Sequence, residues 1–254
     1  MFDIGHLNAL RAAEIAEIVT HFPVSARVLE IGAGTGKQAL ELKSRGLDVE
    51  AIEIPSSEYS DCRVFPIWNF DGRDIPFPDA SFDVVFSSNV LEHVPNLMQM
   101  HIEIARVLKP TGYAVHVLPT HAWRFWTALT SFPTALQYSV AMLRELRPYR
   151  PLTGQKLRRL FNAYFALSKR LASPFFQRRH GERGNVITEI WYFHPEWWRR
   201  NFREHGFEIV KDKPIGLFYT GNMMFGPRWS IEKRRRLAAS LGSACHLFIV
   251  RRVG

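Results

Sequence analysis
The run Val28-Leu29-Glu30-Ile31-Gly32-Ala33-Gly34-Thr35-Gly36 constrains this chain more than any other stretch. Its hydrophobic positions read as a short buried strand, and the glycine loop after it leads into a helix starting near Lys37. Glycines at alternate positions let the backbone turn sharply and bring bare N–H groups against a bulky ligand. Glu53 ends the next apolar run, where a carboxylate can hold the two hydroxyls of a ribose. Together these pieces describe a nucleoside-binding βαβ unit. The spacing is G-x-G-x-G, whereas the dinucleotide fingerprint is G-x-G-x-x-G, which counts against an NAD-dependent oxidoreductase.

Further segments follow in order. Phe70-Asp71-Gly72-Arg73-Asp74-Ile75-Pro76-Phe77 is a polar loop, Ser81-Phe82-Asp83-Val84-Val85-Phe86 a strand, and Ser87-Ser88-Asn89-Val90-Leu91-Glu92-His93 the segment just after it. Arg106-Val107-Leu108-Lys109-Pro110-Thr111-Gly112 then makes a turn before another strand. Over residues 28–120 this order resembles the class I S-adenosylmethionine-dependent methyltransferases, of the type 11-like kind, in an uncharacterised subfamily. The resemblance implies S-adenosyl-L-methionine as cofactor and gives individual residues roles. Glu30, Gly32, Gly34 and Gly36 would line its methionine side, and Glu53 would bind the ribose. Asp71, with the backbone of Gly72, would face the adenine, and Asn89 would lie near the amino acid end. Each has a plainer reading: Glu30 as a cap on the loop, Glu53 as a solvated strand end, and Asp71 as a turn former with Asp74 competing for its place.

Strands are expected near 28–31, 48–54, 63–67, 83–88 and 113–118, with helices near 7–22, 37–45, 57–61 and 96–108. Pro110-Thr111-Gly112 is expected to stop the last of these helices. Such alternation argues for an α/β fold, a doubly wound parallel sheet. A helix over 195–205, a sixth strand over 207–215 and a seventh over 245–253 complete the pattern. The resembled fold places the seventh strand antiparallel beside the fifth. The expectation is therefore a seven-stranded, mostly parallel sheet with an antiparallel last strand and a helical insertion after the fifth strand. Residues 1–120 form the cofactor-binding part, 121–190 the lid or acceptor insertion, and 191–254 the rest of the sheet domain.

Charge divides the chain. Residues 1–120 carry 9 Lys+Arg against 16 Asp+Glu, whereas residues 121–254 carry 24 against 8. A basic surface points to an anionic partner or, more plainly, to a solvated arginine-rich exterior. Within the insertion, Ala122-Trp123-Arg124-Phe125-Trp126 and the apolar residues to Leu143 precede arginines at 144, 147, 150, 158 and 159. That composition suits either an interfacial helix or, as the favoured reading, a lid packed on the sheet with its arginines outward. Residues 178–185 form a compact polar loop able to grip a phosphate or sugar, and Phe218-Tyr219-Thr220-Gly221-Asn222 pairs an aromatic platform with polar groups. Lys233-Arg234-Arg235-Arg236 reads as a solvated helix face. His93, after the fourth strand, and His121, after the fifth, are candidate general bases; His116 reads as a core residue.

Two cysteines, Cys62 and Cys245, show neither metal spacing nor a disulfide framework, so no metal is expected and a reducing cytoplasm is the expected compartment. The first residues show no secretory signal. The expected activity is methyl transfer to a sugar or lipid-linked glycan, an anionic acceptor, with peripheral contact at the inner face of the membrane. A small hydrophobic metabolite is the alternative acceptor, and a catalytically silent membrane- or partner-binding module is the alternative of another class. Nucleic acid is disfavoured, since no Asn-Pro-Pro-Tyr-like motif or RNA-binding module is present.

Overall fold
The computed structural model describes residues 4–146, 154–222 and 226–253. Arg147 and Arg150 lie outside these residues, and the side chain of Arg159 is likewise outside them. In chain order the elements are α1 (Ile4–Ile18), β1 (Arg27–Ile31), α2 (Lys37–Ser44), β2 (Asp48–Glu53), β3 (Trp68–Asn69), β4 (Phe82–Ser88), α3 (Leu97–Val107) and β5 (Leu108–Pro119). There follow α4 (His121–Leu146), α5 (Gly154–Ala172), α6 (Glu189–Tyr192), α7 (Pro195–Glu204), β6 (Phe207–Pro214), α8 (Ile231–Leu241) and β7 (Cys245–Arg252).

The strands form one sheet in the order β3-β2-β1-β4-β5-β7-β6. β1 pairs in parallel with β2 and β4, and β4 with β5. β7 runs antiparallel between β5 and β6, as the sequence led us to expect. Because helices cover both faces, the central strands are apolar on both sides rather than alternating. Val28 and Val84 point into a core with Leu10, Ile18 and Leu42, whereas Leu29 and Val85 point into a second core with Met100, Ile104, Trp198 and Phe202. All of these residues are essentially inaccessible to water. Burying each aliphatic or aromatic side chain contributes about 1.5–3 kcal/mol, so the two cores hold the sheet rigid beneath the loops at its carboxyl edge.

Local signals set the helix ends. The Asn96 side chain accepts the Gln99 N–H at 3.2 Å and caps α3, and Pro195 opens α7, where its missing N–H costs nothing. Three expectations differ in detail. The third strand is only Trp68–Asn69, not residues 63–67, because Pro66 cannot donate to a ladder. Of the helix expected at 57–61, a single 3-10 turn at Ser60–Cys62 forms. α3 stops at Val107, ahead of Pro110, and the strand pairing already begins at Leu108, with an irregularity between Phe82 and Val84 absorbing the extra residues.

Candidate functional site
The carboxyl ends of β1, β2, β4 and β5 carry the loops that were read as functional. Gly32 and Ala33 donate their N–H groups to the Ile52 carbonyl at 2.9 and 3.1 Å, which ties the glycine loop to β2. Gly32 has φ +70°, and a Cβ there would stand 2.5 Å from Val90 Cγ2, so only glycine fits. At Gly36, φ +78° and a 2.6 Å approach to Phe65 Cβ impose the same restriction. Glu53 accepts the Gly34 N–H at 2.7 Å and the Ile54 N–H at 2.9 Å, so its carboxylate stands against the glycine loop. Glu30 is buried beneath the loop; burial, reinforced by the Glu53 charge, pushes its carboxyl up to about 8, against the pull of the Ala39 N–H. Its Oε2 has no partner among the described residues. Asp71 accepts the Arg73 and Asp74 N–H groups at 2.8 and 2.9 Å, and those bonds hold its carboxyl below the usual range. It is thus a turn former as well as an exposed acid, and the following Gly72 packs over Ile54 beside Glu53. Asn89, at φ +56°, accepts from Cys245 Sγ at 3.5 Å.

Farther along the sheet edge, His93 ends the 3-10 turn Leu91–His93. Its ring centroid lies 4.7 Å from that of His180, and His180 in turn lies 4.7 Å from Trp123. Burial holds His93 below the usual imidazole value and brings His180 down to about 4, helped by His93 and Arg124. Glu92 is buried, which raises its carboxyl to about 8. His180 reaches this place because residues 178–185 dock on the turn after β4. The Glu182 N–H binds the Glu92 carbonyl at 2.9 Å, and Arg183 Nη2 donates to the Val94 carbonyl at 2.8 Å. Glu189 braces the loop, accepting from the N–H groups of His180 and Gly181 and from Arg124 Nε at 2.8 Å. His121 opens α4 and faces His194 at 4.6 Å; burial and that neighbour hold its pKa down. His116 is a core residue, stacked on Phe202 and bonded to Ser87 Oγ at 2.8 Å.

Residues 29–116 match the model of the methyltransferase domain family. Residues 29–116 thus carry a methyltransferase domain of the class I S-adenosylmethionine-dependent kind. The chain is 35% identical over 104 residues to a demethylmenaquinone methyltransferase of Tropheryma whipplei, a match covering 39% of this chain and 44% of the relative. It is 36% identical over 116 residues to the bifunctional biotin biosynthesis protein of Cellvibrio japonicus, covering 41% and 22% respectively. The fold superposes over the whole of a methyltransferase from Aquifex aeolicus, with TM-score 0.53 and 12% identity. Less than half of each curated relative is therefore spanned. S-adenosylmethionine is the cofactor of such a domain, and the residues here fit it: a loop of left-handed glycine turns, a carboxylate at the end of β2, and the unpartnered Glu30 oxygen below.

Sequence reasoning did not single out the groups that join the methyltransferase domain to its flanking parts. Tyr219 donates to Glu14 at 2.7 Å and contacts Cys245 Sγ at 3.0 Å, so that α1, the segment before α8, and β7 meet at Asn89. No spacing motif could have shown this, because the partners lie in three distant segments. In the insertion Arg144, Arg158 and Arg170 are exposed, whereas one arginine ahead of them turns inward. Arg124 is buried against Glu189, while Phe125, Leu129, Phe132, Leu136, Val140 and Leu143 are exposed along one outer face of α4. Phe132 meets Phe175, which with Phe176 is about four-fifths exposed: 75% and 80%. Phe218 and Tyr219 are buried rather than a surface platform, and together with Trp126 and Trp229 they line a cavity of ≈ 120 Å³. Arg234 departs from the solvated helix face. It is buried and donates to the carbonyls of Phe218, Gly226 and Trp229.

Proposed function
We propose that this chain is a methyltransferase that O-methylates a sugar or lipid-linked glycan at the cytoplasmic face of a membrane. The observation carrying the transfer reading is the Glu53 carboxylate set against the Gly34 N–H at the carboxyl edge of the sheet. When bound, S-adenosylmethionine supplies an electrophilic methyl group on a sulfonium. The work of the chain is then to hold donor and acceptor in line, and positioning of that kind supplies much of the rate. Glu53 presents its carboxylate to the ribose hydroxyls, Asp71 and Gly72 bound the adenine side, and Asn89 the amino acid end. Glu30 holds the first turn of α2 under the glycine loop through the Ala39 N–H. A hydroxyl acceptor gives its proton to a neutral imidazole, for which His93 and His121 are the candidates. Replacing Glu53 by Ala removes charge-assisted hydrogen bonds of about 1.5–3 kcal/mol, a loss of roughly 10- to 100-fold in affinity for S-adenosylhomocysteine by calorimetry. Unchanged affinity would defeat the ribose assignment.

The outer face of α4 supports the lipid-linked acceptor. Its exposed apolar stripe, with Phe175 and Phe176 beside it, has the composition of a helix lying in a lipid interface, and Arg144, Lys169 and Arg170 edge it with positive charge. Among the described residues no helix is long and apolar enough to cross a membrane. Cosedimentation with anionic vesicles is expected for the intact protein and is expected to be lost in Leu136→Glu. The second reading, a small hydrophobic metabolite, is favoured by the match to a demethylmenaquinone methyltransferase. Transfer of labelled methyl into a cell extract separates the two. Label in lipid-linked saccharide upholds the first, label in a sugar-free hydrophobic product the second, and no incorporation at all overturns both.

A further inference from the structure
Glu92 is the most unusual side chain that methyl transfer as described leaves unused. Its side chain is 0% exposed, and neither carboxylate oxygen has a hydrogen-bond partner among the described residues. Burying a carboxylate without a partner is costly, and the fold normally supplies a cation or a cluster of donors to offset it. Arg11 acts on Glu92 only through space, because its guanidinium is engaged by Glu14 at 2.7 Å and by Tyr219. What does face Glu92 is a pair of imidazoles. His93 Nε2 lies 3.8 Å from Glu92 Oε1, and one donor atom each from Glu92, His93 and His180 all lie within 4.8 Å of one another.

We propose that Glu92, His93 and His180 bind one divalent transition-metal ion at the acceptor side of the site. Two imidazoles with one carboxylate suit zinc, manganese or iron rather than magnesium or calcium, which prefer oxygen throughout. Three ligands at about 2.1 Å from one ion stand roughly 3.4–3.6 Å apart, so each donor moves by at most about 0.8 Å to close round one centre. Their carriers are held in place from outside. The Glu182 N–H and the Glu92 carbonyl join the two segments, and a Cβ on Gly181 would stand only 2.9 Å from that same carbonyl. Glu189 fixes the backbone of His180 and Gly181, and Arg124 fixes Glu189. Both histidines are exposed residues, so solvent or an acceptor hydroxyl can reach the centre. This last step rests on the methyl-transfer reading. A hydroxyl held on the ion gives up its proton to solvent more readily. His93 is then a ligand, and His121 is the remaining imidazole able to take a proton.

The sequence offered no metal spacing here, because His180 returns from the far end of the insertion. The test uses the full chain, stripped with EDTA and titrated by calorimetry with zinc and, separately, manganese. One ion per chain is expected, with cobalt giving the visible absorption of a nitrogen- and oxygen-ligated centre. His180→Ala and Glu92→Gln are each expected to weaken binding roughly 100-fold, with circular dichroism and affinity for S-adenosylhomocysteine unchanged. Should Glu92→Gln not fold, His180→Ala, at a more exposed position, reads the same site. Absence of stoichiometric binding by the wild type, the outcome if Glu92 is simply protonated, overturns the proposal, as does full binding by His180→Ala. Failure to bind S-adenosylhomocysteine would instead count against the methyltransferase reading and leave the ion site standing.

Discussion
Asp212 on β6 shows how much a single carboxylate contributes when its partners converge. Arg199 grips it with two bonds at 2.8 and 2.9 Å, and His246 Nε2 adds a third at 3.2 Å. The Arg199 bonds, followed by His246, lower its pKa to about 2. Burial lowers the pKa of His246, against the pull of Asp212. A depressed folded pKa stabilises the protein above the unfolded value, and that contribution is lost as pH falls from about 4 through about 2. Discounted for partial exposure, the pair contributes about 1–2 kcal/mol. The stability gap between wild type and Asp212→Asn, measured by urea unfolding, should therefore close by that amount between pH 5 and the acid limit. At this same scale, the placement of Glu53 against the three glycines was legible because it depends on short local spacing. Glu92 and His180 were not, because a residue's partner across the fold leaves no trace in its neighbours along the chain.

Among the elements, the insertion depends most on one buried pair. Arg124 near the start of α4 and Glu189 at the start of α6 are 4% and 0% exposed and meet at 2.8 Å. Removing Arg124 leaves a buried carboxylate whose remaining donors are the backbone N–H groups of His180 and Gly181. Arg124→Ala should cost about 3–5 kcal/mol in thermal or urea unfolding and expose residues 178–188 to protease before the sheet domain. The helical character of the insertion was readable from its length, too great for a simple loop. Its orientation was not, since an apolar stripe is equally compatible with facing the sheet or facing away. Arg124 is the residue that decides the orientation, because its side chain turns inward to Glu189. The short β3, where the strand was read straight through Pro66, and the early start of β5, where Pro110 was weighed without its pairing partner, are smaller misreadings of the same kind.

For the molecule as a whole, the two cysteines report on how tightly the parts are joined. Cys62 is exposed, whereas Cys245 is buried where β7 meets α1 and Asn89, and burial pushes its thiol far above the ordinary range. One thiol per native chain should react with an alkylating reagent and both in denaturant; rapid loss of both in the native state would mean that this junction opens. By itself, the sequence determined the sheet, its strand directions and the glycine turns at its carboxyl edge with Glu53 beside them. Those follow from hydrophobic periodicity and from backbone turns that glycine alone permits, which are properties of neighbouring residues. Only the tertiary structure decided which histidine meets which, where the buried Glu92 points, and which way the apolar face of α4 looks. Those depend on segments far apart in the chain being packed against one another, and packing complementarity is not written in local order.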